Sequence, residues 1–191
     1  VRQAVDRVLP EAGSSGTPEA YRDAIEADPA WRAEGVEEIG AVFRRYIDRI
    51  APHIDDYFDF KPRADHDVRA LPAELSASMT FGYYDAPKPE DPVGRYLFNA
   101  ENLARNALAN IAALNYHELV PGHHFHFASQ RENDALHPLR SHGSINAFNE
   151  GWAEYAATLA GEMGMDEVPE ERFGRPLIDA FLTCRLGVER G

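Results

Sequence analysis

The chain has 191 residues, 44% of them hydrophobic and 10% aromatic, which suits a globular domain with a sizeable core and excludes a disordered tail. Nineteen basic residues against 32 acidic ones give a net charge of −13, which argues against nucleic acid and anionic membrane surfaces as partners. No apolar run approaches the roughly 20 residues of a membrane span, so no membrane insertion is expected.

The N-terminus, VRQAVDRVLP, does not read as a signal peptide, and the single cysteine, Cys184, allows neither an internal disulfide nor a cysteine metal site. That usage slightly favours the cytoplasm. The chain starts at Val1 and stops at LGVERG inside a helical pattern, so it is expected to be a piece of a longer protein.

In chain order, VRQAVDRVL predicts a short amphipathic helix ending near Pro10. Thr17 and Pro18 then mark the cap and first turn of a second helix, TPEAYRDAIEAD. From Ala30 to about Phe58, Val36, Ile39, Val42, Phe43, Tyr46, Ile47 and Ile50 recur at helical spacing, with Pro52 as the point of kink or ending. Residues 60–100 change character: MTFGYY and RYLFN are β-prone runs around a proline- and acid-rich loop, which predicts an antiparallel hairpin. Helices resume with ENLARNALANIAALNYHELV, HHFHFASQREN, AFNEGWAEYAATLAGEMG closing at Gly164, and a last one over Arg175 to Val188 opened by Pro176. The fold class is therefore mainly α with a small antiparallel β-hairpin. Residues 1–60 are expected to be a helical segment, a candidate cleft wall, and residues 61–191 the core.

Chemistry concentrates in NYHELVPGHHFH, residues 115–126. A zinc hydrolase needs two neutral imidazoles, a third ligand, an open position for water and a carboxylate beside that water. In H-E-x-x-H the histidines stand one turn apart on one helical face. Here His117 and Glu118 make the first half, but Pro121 occupies the place of the second histidine, and the next imidazoles are His123 and His124. On a straight helix these would lie roughly 9 and 10.5 Å further along the axis, whereas two nitrogens on one tetrahedral zinc stand roughly 3.4 Å apart. Pro121 and Gly122 offer a way out, a kink and a permissive backbone that return one of the two histidines to the metal. A third ligand is expected from NAFNEGWAEY: Glu150, with Glu154 as the weaker choice on the same face, Gly151 leaving room for close helix approach, and Trp152 and Tyr155 packing or reaching the cleft.

H-E-x-x-P-G-H-H followed by E-G-W-A-x-Y resembles the bacterial family catalogued as domain of unknown function 885, whose members resemble zinc-dependent peptidases of the gluzincin type. GYYDAPKPEDPVGRYLFN and TCRLGVERG also resemble that family, so the likeness covers about residues 70–190. NEGWAEY is similar, too, to the zinc-ligating segment of thermolysin-like aminopeptidases. The resemblance implies a zincin-like helical metallopeptidase core holding one zinc ion. His117 would be the first ligand, Glu118 the general base and Glu150 the third ligand. His123 is favoured as the second ligand because it follows a glycine. His124 becomes a substrate or transition-state contact, the two roles being exchangeable. The family's members are much longer, which makes a second chain a candidate for completing the cleft.

Tyr83 and Tyr84 are substrate-binding candidates that could stabilise an oxyanion, with core packing as the alternative. Tyr155 is a further catalytic candidate, and Arg185 a candidate fork for a substrate carboxylate. His126 is expected to pack, His142 to serve a loop or cap, and His53, His66 and His137 to lie at the surface. Glu37–Glu38, Asp55–Asp56 and Glu170–Glu171 are expected to be solvated faces. The expected function is zinc-dependent hydrolysis of a peptide or small amide, with a non-catalytic metal-binding subunit as the rival.

Overall fold

The computed structural model describes the backbone of residues 2–105 and 108–189 and the side chains of residues 5–104, 108–180 and 184. It opens with α1 (Arg2–Glu11) and α2 (Pro18–Ala27), the latter capped by Thr17, whose hydroxyl accepts the Ala20 N–H at 3.2 Å. The long helix expected over 30–58, kinked or ended at Pro52, starts later and is interrupted there: α3 (Val36–Ile50), a 3-10 turn over Ala51–His53 and the short α4 (Ile54–Tyr57). The break falls at Pro52, which has no N–H to continue the ladder. α3 buries Ile39, Phe43, Tyr46 and Ile50 along one stripe and leaves its acids outside.

The hairpin is present as β2 (Gly82–Asp85) against β3 (Gly94–Phe98), antiparallel, with Tyr84 opposite Tyr96. A further strand, β1 (His66–Ala70), adds parallel to the other side of β3, so the sheet is mixed and three-stranded, in the order β1-β3-β2. HDVRA carries three charged or ionisable residues in five and buries only Val68, which leaves too little alternation to betray a strand. α3 lies on this sheet: the Phe43 ring stacks 5.3 Å from Phe98 and meets Tyr96 edge-on at 5.4 Å. α5 (Ala73–Ser76) lies between β1 and β2.

The stretch ENLARNALANIAALNYHELV is likewise divided. α6 (Ala100–Arg105) is followed by a 3-10 turn over Leu108–Asn110 and then by α7 (Ile111–Glu118). Every residue of α7 from Ile111 to His117 is buried, as its nearly unbroken apolar run requires. It is enclosed by α3, by α10 (Asn146–Glu162) and by α11 (Pro169–Glu189). α10 presents Ala153, Ala156, Ala157 and Ala160 as its buried face, small residues that let it lie close to α7. Gly151, expected to serve that approach, faces open space, since a Cβ there would meet nothing within 4 Å. α11 starts at Pro169, earlier than expected, with Pro176 inside it. A second small core of Val5, Val8, Leu9 and Ile25 closes over Phe173 of α11.

The outcome is mainly helical with one small sheet, and a central buried helix whose C-terminal end carries His117 and Glu118.

Candidate metal centre

α7 ends where its sequence must end it. The Leu119 N–H donates to the Asn115 carbonyl at 2.9 Å, and Pro121, preceded by a cis peptide bond, can add no further helical N–H. The chain reverses through residues 119–122 and begins α8 (His123–Glu132). The expected kinked helix is thus two helices joined by a tight turn. Gly122 matters here for space: a Cβ at this position would stand 1.8 Å from the His117 carbonyl oxygen, a distance no other residue tolerates. The turn is pinned from α10, whose Trp152 indole N–H points at the carbonyls of Pro121 (3.0 Å) and Gly122 (3.3 Å).

This turn brings the His123 ring to 4.8 Å from the His117 ring, nearly perpendicular at 86°. Glu150, from α10, reaches both: its carboxylate oxygens lie 3.5 Å from His117 Nε2 and 3.8 Å from His123 Nε2. One donor atom from each of the three residues falls within 4.8 Å of the others. Ligand atoms on a tetrahedral zinc stand roughly 3.4 Å apart, a difference small side-chain rotations can close. The donor set, two imidazoles and a carboxylate, suits zinc and similar divalent ions. The position at the end of α7, where helix carbonyls gather partial negative charge, favours a cation further.

The electrostatics agree with a cation hole. Burial alone pushes His117 down, but its bonds to Glu150 and Glu154 and the charge of Glu118 raise it to about 10. His123 is lowered to about 4 by burial and then by the charge on His117, which suits a neutral ligand. Burial raises Glu118 to about 7, the charge on His117 pulling down and that on Glu150 pushing up. At neutral pH one charged imidazole, His117, and one neutral imidazole, His123, therefore face the ionised Glu150 and Glu154 and a partly protonated Glu118.

His117 is also held from behind. Its Nδ1 lies 2.8 Å from Glu154 Oε1, and an ionised carboxylate only accepts, so Nδ1 keeps its hydrogen and Nε2, which bears the second hydrogen of the charged imidazole towards Glu150, is the nitrogen left to a cation once that proton goes. Glu154, the weaker ligand candidate, is therefore the orienting partner, and Arg175 Nη2 binds its other oxygen at 2.7 Å. Neither Arg175 nor the clamp by Trp152 was expected from sequence. The spacing of Glu150 and Glu154, one turn apart on one face, was the available signal.

The cluster opens on a cleft of about 620 Å³, lined by Tyr83, Tyr84, Phe127 and Asn146 with Glu118 and the three ligand candidates. His124 is not part of it. Its Nε2 donates to the Ala64 carbonyl at 3.0 Å, so its Nδ1 accepts from the Tyr84 hydroxyl at 2.9 Å, and the buried ring braces the sheet. The direction of those bonds also commits the Tyr84 proton to His124 rather than to a substrate oxygen. Tyr155 is 56% exposed beside Trp152 and does not line the cleft. The Arg185 side chain lies outside the described residues.

Other expectations resolve individually. His126 packs edge-on against Phe148 beside a separate apolar cavity, and His142 bonds Ser141 Oγ at the end of α9 (Pro138–Ser141). His137 caps that helix by accepting the Leu139 N–H at 3.2 Å. His66 is no surface residue: it is half-buried, its ring 4.7 Å from that of His124. Glu171 is not solvated either, because Tyr46 and Arg49 bury it with partners.

A mainly helical chain that sets two histidines and a glutamate from three adjoining helix ends and turns around one cleft, with a further glutamate beside them, defines a helical protein with a candidate divalent-metal centre. The chain belongs to DUF885, the family described as bacterial protein of unknown function, whose model matches residues 1–191. Its fold is shared with a solved “putative lipoprotein” from Colwellia psychrerythraea at 28% identity and a TM-score of 0.83, covering 91% of this chain and 31% of that one. A “putative lipoprotein of unknown function” from Shewanella oneidensis matches at 20% identity and a TM-score of 0.58, over 90% of this chain and 33% of that one. This chain spans about a third of the length of these solved relatives. No curated protein matches. The relatives' names lend no support to the cytoplasmic placement favoured from cysteine usage.

Proposed function

We propose that this chain carries the zinc site of a hydrolase that cleaves amide bonds, built on a zincin-like helical core, with peptides as the default substrate. The observation that supports it most is the joint placement of the His117, His123 and Glu150 donor atoms within 4.8 Å of one another and of Glu118 on the same cleft. In this reading those three residues hold one zinc ion, which supplies Lewis-acid polarisation of the carbonyl and a water that ionises near neutral pH.

The chain's own groups do the rest. Glu118, raised to about 7 by burial, is matched to neutral pH as a base: it takes the proton of the attacking water and delivers it to the leaving nitrogen. Glu154 holds His117 in the tautomer that offers Nε2. Among the described strands β2 lies at the edge of the sheet, and its Gly82, Tyr83 and Tyr84 line the cleft. An extended peptide can add to that edge by main-chain hydrogen bonds. A small metabolite amide would use the same groups without the strand.

The test is a mixed peptide library incubated with the zinc-loaded chain, with and without chelator, and with Glu118→Gln. Chelator-sensitive cleavage is expected, and Glu118→Gln should keep its zinc while losing about 10²–10⁴-fold in turnover, the contribution of a positioned base. Undiminished turnover in that variant sinks the base assignment. A chain that binds zinc but cleaves neither peptides nor small amides supports the non-catalytic rival.

A further inference from the structure

We propose that Arg175 of α11 is a positioning residue for the metal centre, acting through Glu154 on the ligand His117; this rests on the metal reading above. Glu154 uses its two oxygens in opposite directions, Oε1 towards His117 Nδ1 at 2.8 Å and Oε2 towards Arg175 Nη2 at 2.7 Å. The same guanidinium nitrogen reaches the Glu154 main-chain carbonyl at 3.0 Å and Thr158 Oγ1 at 3.3 Å, both on α10. Arg175 Nε is in turn 3.0 Å from Asp179 Oδ1, one turn along α11. The guanidinium thus grips both the side chain and the backbone of the residue that aims the imidazole. A carboxylate clamped at both oxygens cannot rotate away from the Nδ1–H it accepts.

The fold places this arginine with little slack. The preceding residue, Gly174, is where α11 touches the chain entering α7: a Cβ there would stand 2.3 Å from the Ala109 carbonyl oxygen. Phe173, one residue earlier, is sealed in the small core beneath α1 and α2. Arg175 is therefore fixed at the contact between α11 and the segment leading into α7, and its side chain is only 15% exposed. The second ligand candidate has no such support, since His123 Nδ1 is buried without a hydrogen-bond partner among the described residues. Orientation of the centre consequently rests on the His117 side, which makes the arm through Glu154 to Arg175 the one whose loss is felt at the metal.

The test is a zinc competition titration against a chromophoric chelator, using the whole chain as wild type, Arg175→Met, Glu154→Gln and the double variant. Arg175→Met should weaken zinc binding about tenfold, the lower end of the range for residues that orient metal ligands. In the Glu154→Gln background the same substitution should cost almost nothing further, because the route to His117 is already cut. Equal affinity of wild type and Arg175→Met overturns the inference. So does a full second penalty in the double variant, which is what a merely structural role of Arg175 produces. If Arg175→Met does not fold, Arg175→Lys, which keeps the charge and loses the fork, is titrated in both backgrounds and judged by the same two criteria. A wild type that takes up no zinc overturns the metal reading itself and this inference with it, a result distinct from a wild type that binds zinc indifferently to Arg175.

Discussion

Two regions of this chain bury carboxylates among helices, and they treat the charge in opposite ways. Between α3 and the start of α11, Glu171 is 2% exposed and fully engaged: it accepts from the Tyr46 hydroxyl at 2.8 Å, from Arg49 at 2.8 Å and from the Glu167 N–H at 2.9 Å. Arg49 also donates to the Met165 carbonyl and lies over the Tyr46 ring at 4.8 Å. At the end of α7, Glu118, Glu150 and Glu154 face His117 and His123, and among the described residues Arg175, bonded to Glu154, is the one fixed cation paired with these carboxylates. The first cluster closes on itself and holds two helices together. The second keeps surplus negative charge, open to a cleft and answered by a proton on His117. Burial of charge is common to both, so it is incomplete compensation, not burial, that distinguishes a candidate site from a brace.

Removing the cation from the closed cluster should have the largest effect. Arg49→Met leaves Glu171 buried without its charge partner, a change that should cost about 3–5 kcal/mol of unfolding free energy. Urea unfolding measures the loss, and zinc titration of the same variant should be unchanged. A stable Arg49→Met chain, or one whose zinc affinity collapses while its fold persists, would erase the distinction between brace and site.

Acid sharpens the same contrast. Burial pushes Glu171 up, but Arg49, Tyr46 and the Glu167 N–H outweigh it and hold the carboxyl below its usual 4.5. A carboxyl depressed by folding contributes stability that is present above its unfolded pKa and is lost as pH falls through the folded one. The metal-free wild type should therefore lose the stability this group contributes as the pH falls below about 4.5. Glu171→Gln, already weaker at pH 7, should lose less on further acidification. Unfolding curves at pH 7 and pH 3 for both chains read this out, and parallel losses would show that Glu171 is not the acid-sensitive group.

The two regions were not equally legible in the sequence. His117, Glu118, His123 and Glu150 could be named as candidates because a metal site would impose residue types and spacings that survive in one dimension, and the fold brings them to one cleft. The geometry around them was harder. Pro121–Gly122 marked a break, but not whether the helix would kink or divide, and the turn's partner Trp152 stands some 30 residues away on α10. Glu154 and Arg175 meet across α10 and α11, 21 residues apart, with no local pattern to announce it. Glu171 was misjudged for the same reason, because its partners Tyr46 and Arg49 lie 125 and 122 residues away. Strand β1 was missed since a parallel strand with one buried side chain has little hydrophobic signature of its own. The helices were legible in kind and less so in extent, because prolines and tertiary contacts set their ends.

The smallest effect concerns the two neighbouring histidines, which divide between site and brace as the acid clusters do. His123 turns towards Glu150, whereas His124 bridges Tyr84 and Ala64. His123→Ala should therefore lose zinc, and His124→Ala should keep it at some expense of stability. Tyr84→Phe is the milder probe: it removes one hydroxyl and leaves His124 Nδ1 as a buried acceptor without its donor, for a loss of about 1–2 kcal/mol. Zinc affinity should stay at the wild-type value, since the Tyr84 hydroxyl is bonded to His124, not to a ligand candidate. Should Tyr84→Phe instead leave stability intact and slow turnover, the phenol acts on substrate, and the hydroxyl must leave His124 to do so. The paired readout of unfolding and zinc titration decides which side of the division that hydroxyl belongs to.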